Sequence, residues 1–203
     1  MTSRKLGGLA ASATAAFFFA SSAMAQTAPA AAAVTHGAAI PGICYLSTQE
    51  ALGTSTVGRH VNTRMQQLIQ AVNTELQPEQ TAIETEARNL QSPSLDAAAR
   101  QTRGTALQTR LNNFQTRADQ RQRELEATQQ KALARVLQEM DPIAKQQYQS
   151  RRCALLLDRQ GVMLGNPAMD LTPAVIQGLN ARIQTFAFER ERLDQPAAAA
   201  AKK

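Results

Sequence analysis

The stretch GRHVNTRMQQLIQAVNTELQPEQTAIETEARNLQSPS, Gly58–Ser94, decides the fold. Its apolar residues Val61, Met65, Leu68, Val72, Leu76, Ile83, Ala87 and Leu90 recur at steps of 4, 3, 4, 4, 7, 4 and 3. The long step skips the turn that holds Glu79. This spacing lines one face of a helix of about 3.6 residues per turn. Pro78 removes one backbone hydrogen bond, which predicts a bend near Gln77. Gln91-Ser92-Pro93-Ser94 is a break, because the residue before a proline is pushed out of the helical region. Ser94 is a fitting N-cap for a second helix from about Leu95, with Asp96 in its first turn favouring the helix dipole.

Leu107, Leu111, Phe114, Ala118, Leu125, Ala132, Val136 and Met140 give the second helix a thin apolar seam. Asp141-Pro142 bends or ends it, and Ile143–Tyr148 is able to continue it. Two long helices joined by a short break run antiparallel. At about 1.5 Å per residue, Gly58–Gln91 spans roughly 50 Å and Leu95–Tyr148 roughly 80 Å. No globule of this size is that long, so the hairpin of residues 58–148 is expected to project as an arm. A two-helix seam buries little, so the arm should loosen towards its tip.

Composition agrees with a helical protein. Aromatic residues make up 4% of the 203-residue chain, there is no Trp, and Gln, Ala and Arg crowd its middle. That argues against an all-β protein, a doubly wound nucleotide-binding enzyme and a multi-pass membrane protein. Two His and two Cys leave little material for a metal cluster or an acid–base site.

The flanks read differently. Ile43-Cys44-Tyr45-Leu46, after a Pro41-Gly42 turn signal, is a short buried strand. Gly53–Gly58 is a small-residue joint. After the arm, Cys153–Asp158 and Val162–Leu164 are two apolar runs around Arg159-Gln160-Gly161, the pattern of a strand hairpin. Asp170-Leu171-Thr172-Pro173 starts a final helix, with Thr172 as cap, Pro173 in the first turn, and Val175, Ile176, Leu179, Ile183 and Phe186 on one face. Residues 40–57 and 149–190 together make a small β/α head, and three short strands with one helix make a poor core alone, so heads are expected to associate.

Residues 1–25 carry Arg4 and Lys5, an uncharged Ala- and Phe-rich run, and Ala23-Met24-Ala25, the pattern of a cleavable secretory signal. Cleavage after Ala25 leaves 203 − 25 = 178 residues and lowers the net charge from +6 to +4. No later segment is long and apolar enough to span a bilayer, so a soluble periplasmic product is expected. Residues 26–39 read as a disordered lead-in that contains His36, and residues 191–203 as a flexible tail.

The order of these parts resembles the Skp/OmpH family of periplasmic chaperones for outer-membrane proteins. The resemblance rests on Ile43–Leu52 followed by Ser55-Thr56-Val57-Gly58-Arg59, on Leu155-Leu156-Leu157-Asp158 with Val162-Met163-Leu164, and on Asp170–Ile176. It covers roughly residues 40–190, chiefly as architecture. The cysteine pair and Pro78 depart from the family pattern. The resemblance implies a mainly α fold with a small β head and a homotrimer whose strands form a compact body. Its helical arms would hold unfolded outer-membrane proteins without ATP, cofactor or catalysis. Two other readings are an all-helical stress chaperone of the Spy/CpxP type, for which Leu76-Gln77-Pro78-Glu79-Gln80 is a near match to a Leu-Thr-x-x-Gln motif, and a coiled-coil spacer between envelope layers.

Charge along the hairpin is uneven. Arg88, Arg100, Arg103, Arg110, Arg117, Arg121 and Arg123 face only Asp96 and Asp119 between residues 88 and 123, whereas residues 59–87 carry two Arg against four Glu. A basic tip attracts acidic unfolded chains and anionic surfaces such as lipid headgroups or lipopolysaccharide. Nucleic acid is not an expected partner of an exported chain. Cys44 and Cys153 each open a predicted strand; they either meet as a disulfide, if those strands are parallel neighbours, or stay as two buried thiols. A Cys44–His60 catalytic pair lacks a third orienting group.

Overall fold

The computed structural model describes residues 34–193. The chain divides into two compact units, 1–35 and 36–203, and all but two residues of the first lie outside the described residues. The signal sequence, residues 26–33 of the lead-in and residues 194–203 of the tail therefore also lie outside them.

Strand β1 is Ile43–Leu46. Gly42 turns the chain into it with φ +83, a conformation that favours glycine, and its carbonyl accepts from Ala154 N and Leu155 N at 2.6 and 2.9 Å. Strand β2 is Leu155–Asp158, parallel to β1 in the register Ile43↔Leu155 to Leu46↔Asp158. Parallel neighbours need a crossover, and here the crossover is the whole arm.

The expected joint at residues 53–58 is instead a corner between two helices, α1 (Thr48–Thr54) and α2 (Thr56–Asn89). Ser47 caps α1 by accepting from Glu50 N, and the fully buried Ser55 closes α1 and caps α2 by accepting from Gly58 N. A Cβ on Gly58 would lie 1.6 Å from the Leu52 carbonyl oxygen, so the corner requires glycine. Two serines, Ser47 before α1 and Ser55 in the expected joint, thus supply two successive caps.

Helix α2 continues through Pro78 without a break. Helix α3 spans Ala97–Ser150 and continues through Pro142, so Asp141-Pro142 does not end it. Its N-cap is Asp96, which accepts from Ala99 N at 2.8 Å. Ser94, expected in that role, shares a hydrogen bond with Ser92 in the turn, two residues too early to reach the first free amides. Helix α3 ends in a Schellman motif. Cys153 N donates to Tyr148 O and Arg152 N to Gln149 O, with Arg152 at φ 53 where glycine is usual.

The expected strand at Val162–Leu164 does not form. A 3₁₀ turn at Arg159–Gly161 follows β2 directly, and Met163 and Leu164 are 95% and 73% exposed. The physical reason is that the 3₁₀ turn does not reverse the chain beside β2, whose outer edge stays open, and instead carries Gly165 against the Tyr45 ring. One edge of β1 holds β2, while the other is taken at Tyr45 O by Leu171 N, 2.9 Å away. Helix α4 spans Thr172–Arg182. Thr172 is its first residue rather than its cap. Its hydroxyl accepts from Ser47 N, and Asp170 accepts from Thr172 N. Helix α4 presses on α3 so closely that a Cβ on Gly178 would meet Ile143 Cγ2 at 2.6 Å.

The core joins head and arm root. Leu46, Ala51, Val57, Val61, Val136, Met140, Leu171, Val175 and Leu179 are buried together. Phe186, expected on the face of the last helix, lies beyond its end at Arg182 in an extended segment. The fold is mainly α, with a long antiparallel helical hairpin rising from a small two-stranded sheet. That sheet disfavours the all-helical alternative.

Candidate functional site

The arm offers no enclosed cleft and presents instead long helical faces whose charges pair across the hairpin. Arg103 makes a two-pronged contact to Glu86, at 2.7 and 2.8 Å. Arg110 does the same to Glu79 at 2.5 and 3.0 Å, and Arg121 bonds Glu75 at 2.8 Å. The hydrogen bonds and charge of the facing arginine hold the carboxyls of Glu79 and Glu86 below their ordinary range. Burial raises the Glu75 carboxyl, but hydrogen bonds from Arg121 and Arg190 outweigh it and the net shift is downward. Planar guanidinium–carboxylate pairs of this kind fix geometry as well as charge.

This pairing corrects the expected charge split. In an antiparallel hairpin the acidic half of α2 lies beside the basic half of α3, at the same height on the arm. Residues 75–123 hold seven Arg against Glu75, Glu79, Glu84, Glu86, Asp96 and Asp119, a net of +1. The arm tip is therefore nearly neutral rather than strongly basic. Of the seven arginines singled out, Arg103, Arg110 and Arg121 are half-buried and join the two helices. Arg88, Arg100, Arg117 and Arg123 are exposed and make no ion pair among the described residues. Arg100 closes the inter-helix turn by donating to Ser92 O and Leu95 O, and Arg88 donates to Thr85.

Burial along the arm is sharply graded. On α2 the buried positions run from Val57 to Val72, and beyond that only Ile83 is buried. On α3 nothing from Ala97 to Arg123 is buried, and burial begins at Glu124. Ile69, Leu111 and Leu137 are exposed apolar side chains along the arm. On the head, Leu155, Leu157, Met163 and Leu164 are exposed beside the open edge of β2. These head residues were read as strand material in the sequence, and their exposure was not legible there.

Cys44 and Cys153 form a disulfide with Cα atoms 5.8 Å apart. Cys44 lies within β1, opposite Leu156, whereas Cys153 lies two residues before β2, where the chain leaves the end of α3 and turns back to the sheet. His60 does not face Cys44; its Nε2 donates to Phe186 O at 2.9 Å, and its ring lies against Phe186 and Phe188. Tyr45 donates to Asn166 O, with the Arg159 guanidinium 4.9 Å from its ring centre. Sequence reasoning also missed the acidic partners Glu75, Glu79, Glu86 and Glu124. For the first three the signal was present as acids on α2 spaced to match arginines on α3, but the register of the hairpin was needed to use it.

The class of framework is a small two-stranded sheet carrying a long, thin, charge-laddered helical hairpin. Among the described residues no helix is long and apolar enough to cross a membrane. The family model described as Outer membrane protein (OmpH-like) matches residues 42–179. A crystal structure from Caulobacter crescentus CB15, assigned as an OmpH-like outer membrane chaperone, is 46% identical and superposes with a TM-score of 0.71. That similarity covers 81% of this chain and 98% of the other. No curated protein matches the chain. The chain belongs to the OmpH-like family of outer membrane chaperones.

Proposed function

We propose that this protein is an ATP-independent periplasmic holdase that receives unfolded outer-membrane proteins between the arms of associated copies. The observation that carries the reading is the graded arm. A packed root, on which Ile69 and Leu137 are exposed, holds a distal half that buries almost nothing, so Leu111 and the unpaired arginines are presented on a support able to yield. Weak contacts spread over such a surface suit clients of many sequences. The unpaired Arg88, Arg100, Arg117 and Arg123 are the proposed contacts for acidic clients and for anionic headgroups of lipid or lipopolysaccharide.

Two further observations support the parts of this reading. The open edge of β2, with Leu155, Leu157, Met163 and Leu164 exposed around it, is a surface for other copies of the chain. A trimer built there would bury this edge and direct three arms the same way. The Cys44–Cys153 disulfide fits an oxidising compartment, in line with the secretory signal read in residues 1–25. Cleavage of that signal after Ala25 is part of the proposal.

The test uses the mature protein. Its mass is measured by sedimentation, and a urea-unfolded β-barrel protein is diluted into buffer with and without it, in the absence of ATP. A trimer that suppresses light scattering at about one trimer per client is expected. A monomer at micromolar concentration, or aggregation unchanged by the protein, refutes the reading. The second result would leave the structural spacer as the account.

A further inference from the structure

The family match ends at residue 179, yet residues 183–193 do not trail into solvent. After α4 ends at Arg182, residues 183–193 run extended along the lower arm. Their side chains alternate, with Phe186, Phe188 and Arg190 half-buried and Ala187 and Glu189 exposed. Phe186 and Phe188 stack with ring centres 5.3 Å apart and lie against His60. Arg64 donates to Phe188 O at 3.3 Å and grips the Glu189 carboxylate at 2.7 and 2.8 Å. An open groove of about 770 Å³ follows the segment against α3.

The end of this segment meets the arm at a buried charge. The Glu124 side chain is fully buried, and the guanidiniums of Arg121 and Arg190 lie 3.1 and 3.2 Å from its carboxylate. Arg190 also bonds Glu75 on the opposite helix at 3.0 Å. Glu191 N donates to Thr128 Oγ1 at 2.9 Å. One strap residue thus ties α2 and α3 together at a single height. A buried carboxylate is costly unless it is paired, so removing the strap residue that pairs it should be felt at that height.

That height is also where the arm's packing stops. Below it both helices bury side chains on their facing surfaces; above it only Ile83 is buried. Two helices alone give a narrow seam, and a third element laid along the seam widens it. We infer that residues 183–193 are a brace that fastens the head to the lower arm and sets the pivot of the arm at the level of Glu75 and Glu124. The brace is independent of what the arms hold. It also accounts for residues 191–193, read from the sequence as the start of a flexible tail.

Hydrogen exchange read by mass spectrometry on the full mature chain tests this, with Phe186→Ser/Phe188→Ser and, separately, Arg190→Ala. Amides of residues 61–76 and 121–136 are expected to exchange at least tenfold faster in the double variant. In Arg190→Ala the increase should centre on 72–76 and 121–128. Amides of β1, α4 and the distal residues 83–89 and 103–110 should keep their rates in both. Rates within twofold of the parent at 61–76 and 121–136 overturn the brace. So does acceleration spread evenly over the head, which would make the segment an ordinary part of the core. The Arg190→Ala variant lies at the arm's edge and leaves the head core intact, so the test survives if the double variant fails to fold.

Discussion

Removing the Cys44–Cys153 bridge should cost this protein more stability than any single contact on the arm. The two cysteines are 109 positions apart, and everything between them is the helical excursion. In the chain-entropy model, opening a loop of that length releases about 16 cal/mol/K in the unfolded chain, or about 4.8 kcal/mol at 25 °C. What remains to hold the loop ends is a ladder of four residue pairs and the Gly42 carbonyl, helped by the packing of α4 on α3. Cys44→Ala/Cys153→Ala removes one buried sulfur atom per side chain, a small apolar loss by comparison. For a chain of this size a loss of about 4.8 kcal/mol lowers the melting temperature by roughly 10–20 °C. The assay is a far-UV circular dichroism melt at fixed protein concentration, on protein exported to an oxidising compartment, with and without reductant and beside the double-alanine variant. Thiol titration of the denatured, unreduced protein should find none. A melting shift under about 2 °C in both the reduced and the double-alanine protein, or two titratable thiols before reduction, refutes the loop-closure argument.

The remaining predictions concern the arm's charges. Glu75, Glu79, Glu86 and Glu139 all have carboxyls held below the ordinary value of 4.5 by facing arginines. A lowered folded value means that the stabilisation is complete above the unfolded value and is lost as pH falls through the folded one. The inter-helix pairs should therefore weaken progressively below about pH 4.5. Far-UV circular dichroism should show helicity falling from pH 5 to pH 3, and Glu79→Gln/Glu86→Gln should show part of that loss already at pH 7. Equal helicity of that variant and its parent at both pH values would dismiss the ladder as a stabilising feature. Substituting Arg88, Arg100, Arg117 and Arg123 by Gln should weaken binding to anionic phospholipid vesicles at least tenfold at low salt and hardly at all at high salt, since each exposed base near such a surface contributes about 1 kcal/mol. Arg103→Gln/Arg110→Gln should instead lower arm helicity, and equal vesicle binding by both sets of variants would contradict the division between free and paired arginines.

The sequence by itself determined the long elements. A period of 3.6 from Val61 to Leu90, the Gln91–Ser94 break and the seam from Leu107 to Met140 specify two helices that must fold back on each other, because local spacing alone decides which face is apolar. The strand at Ile43–Leu46 and the start of the last helix near Thr172 were legible for the same reason. What the tertiary structure decided lies wherever two distant segments meet. The register of the hairpin set Glu79 beside Arg110 and Glu86 beside Arg103, turning an apparent basic tip into a nearly neutral ladder. The turn from α3 back to the sheet brought Cys153 to Cys44, and the 3₁₀ turn after β2 carried Val162–Leu164 away from the edge of β2 that stays open. Most distant of all, Phe186 and Arg190 found partners more than a hundred positions away, at His60 and Glu75. Periodicity reports which residues share a face of one element, but charge pairing and edge satisfaction depend on which face of another element arrives, and only the folded chain fixes that.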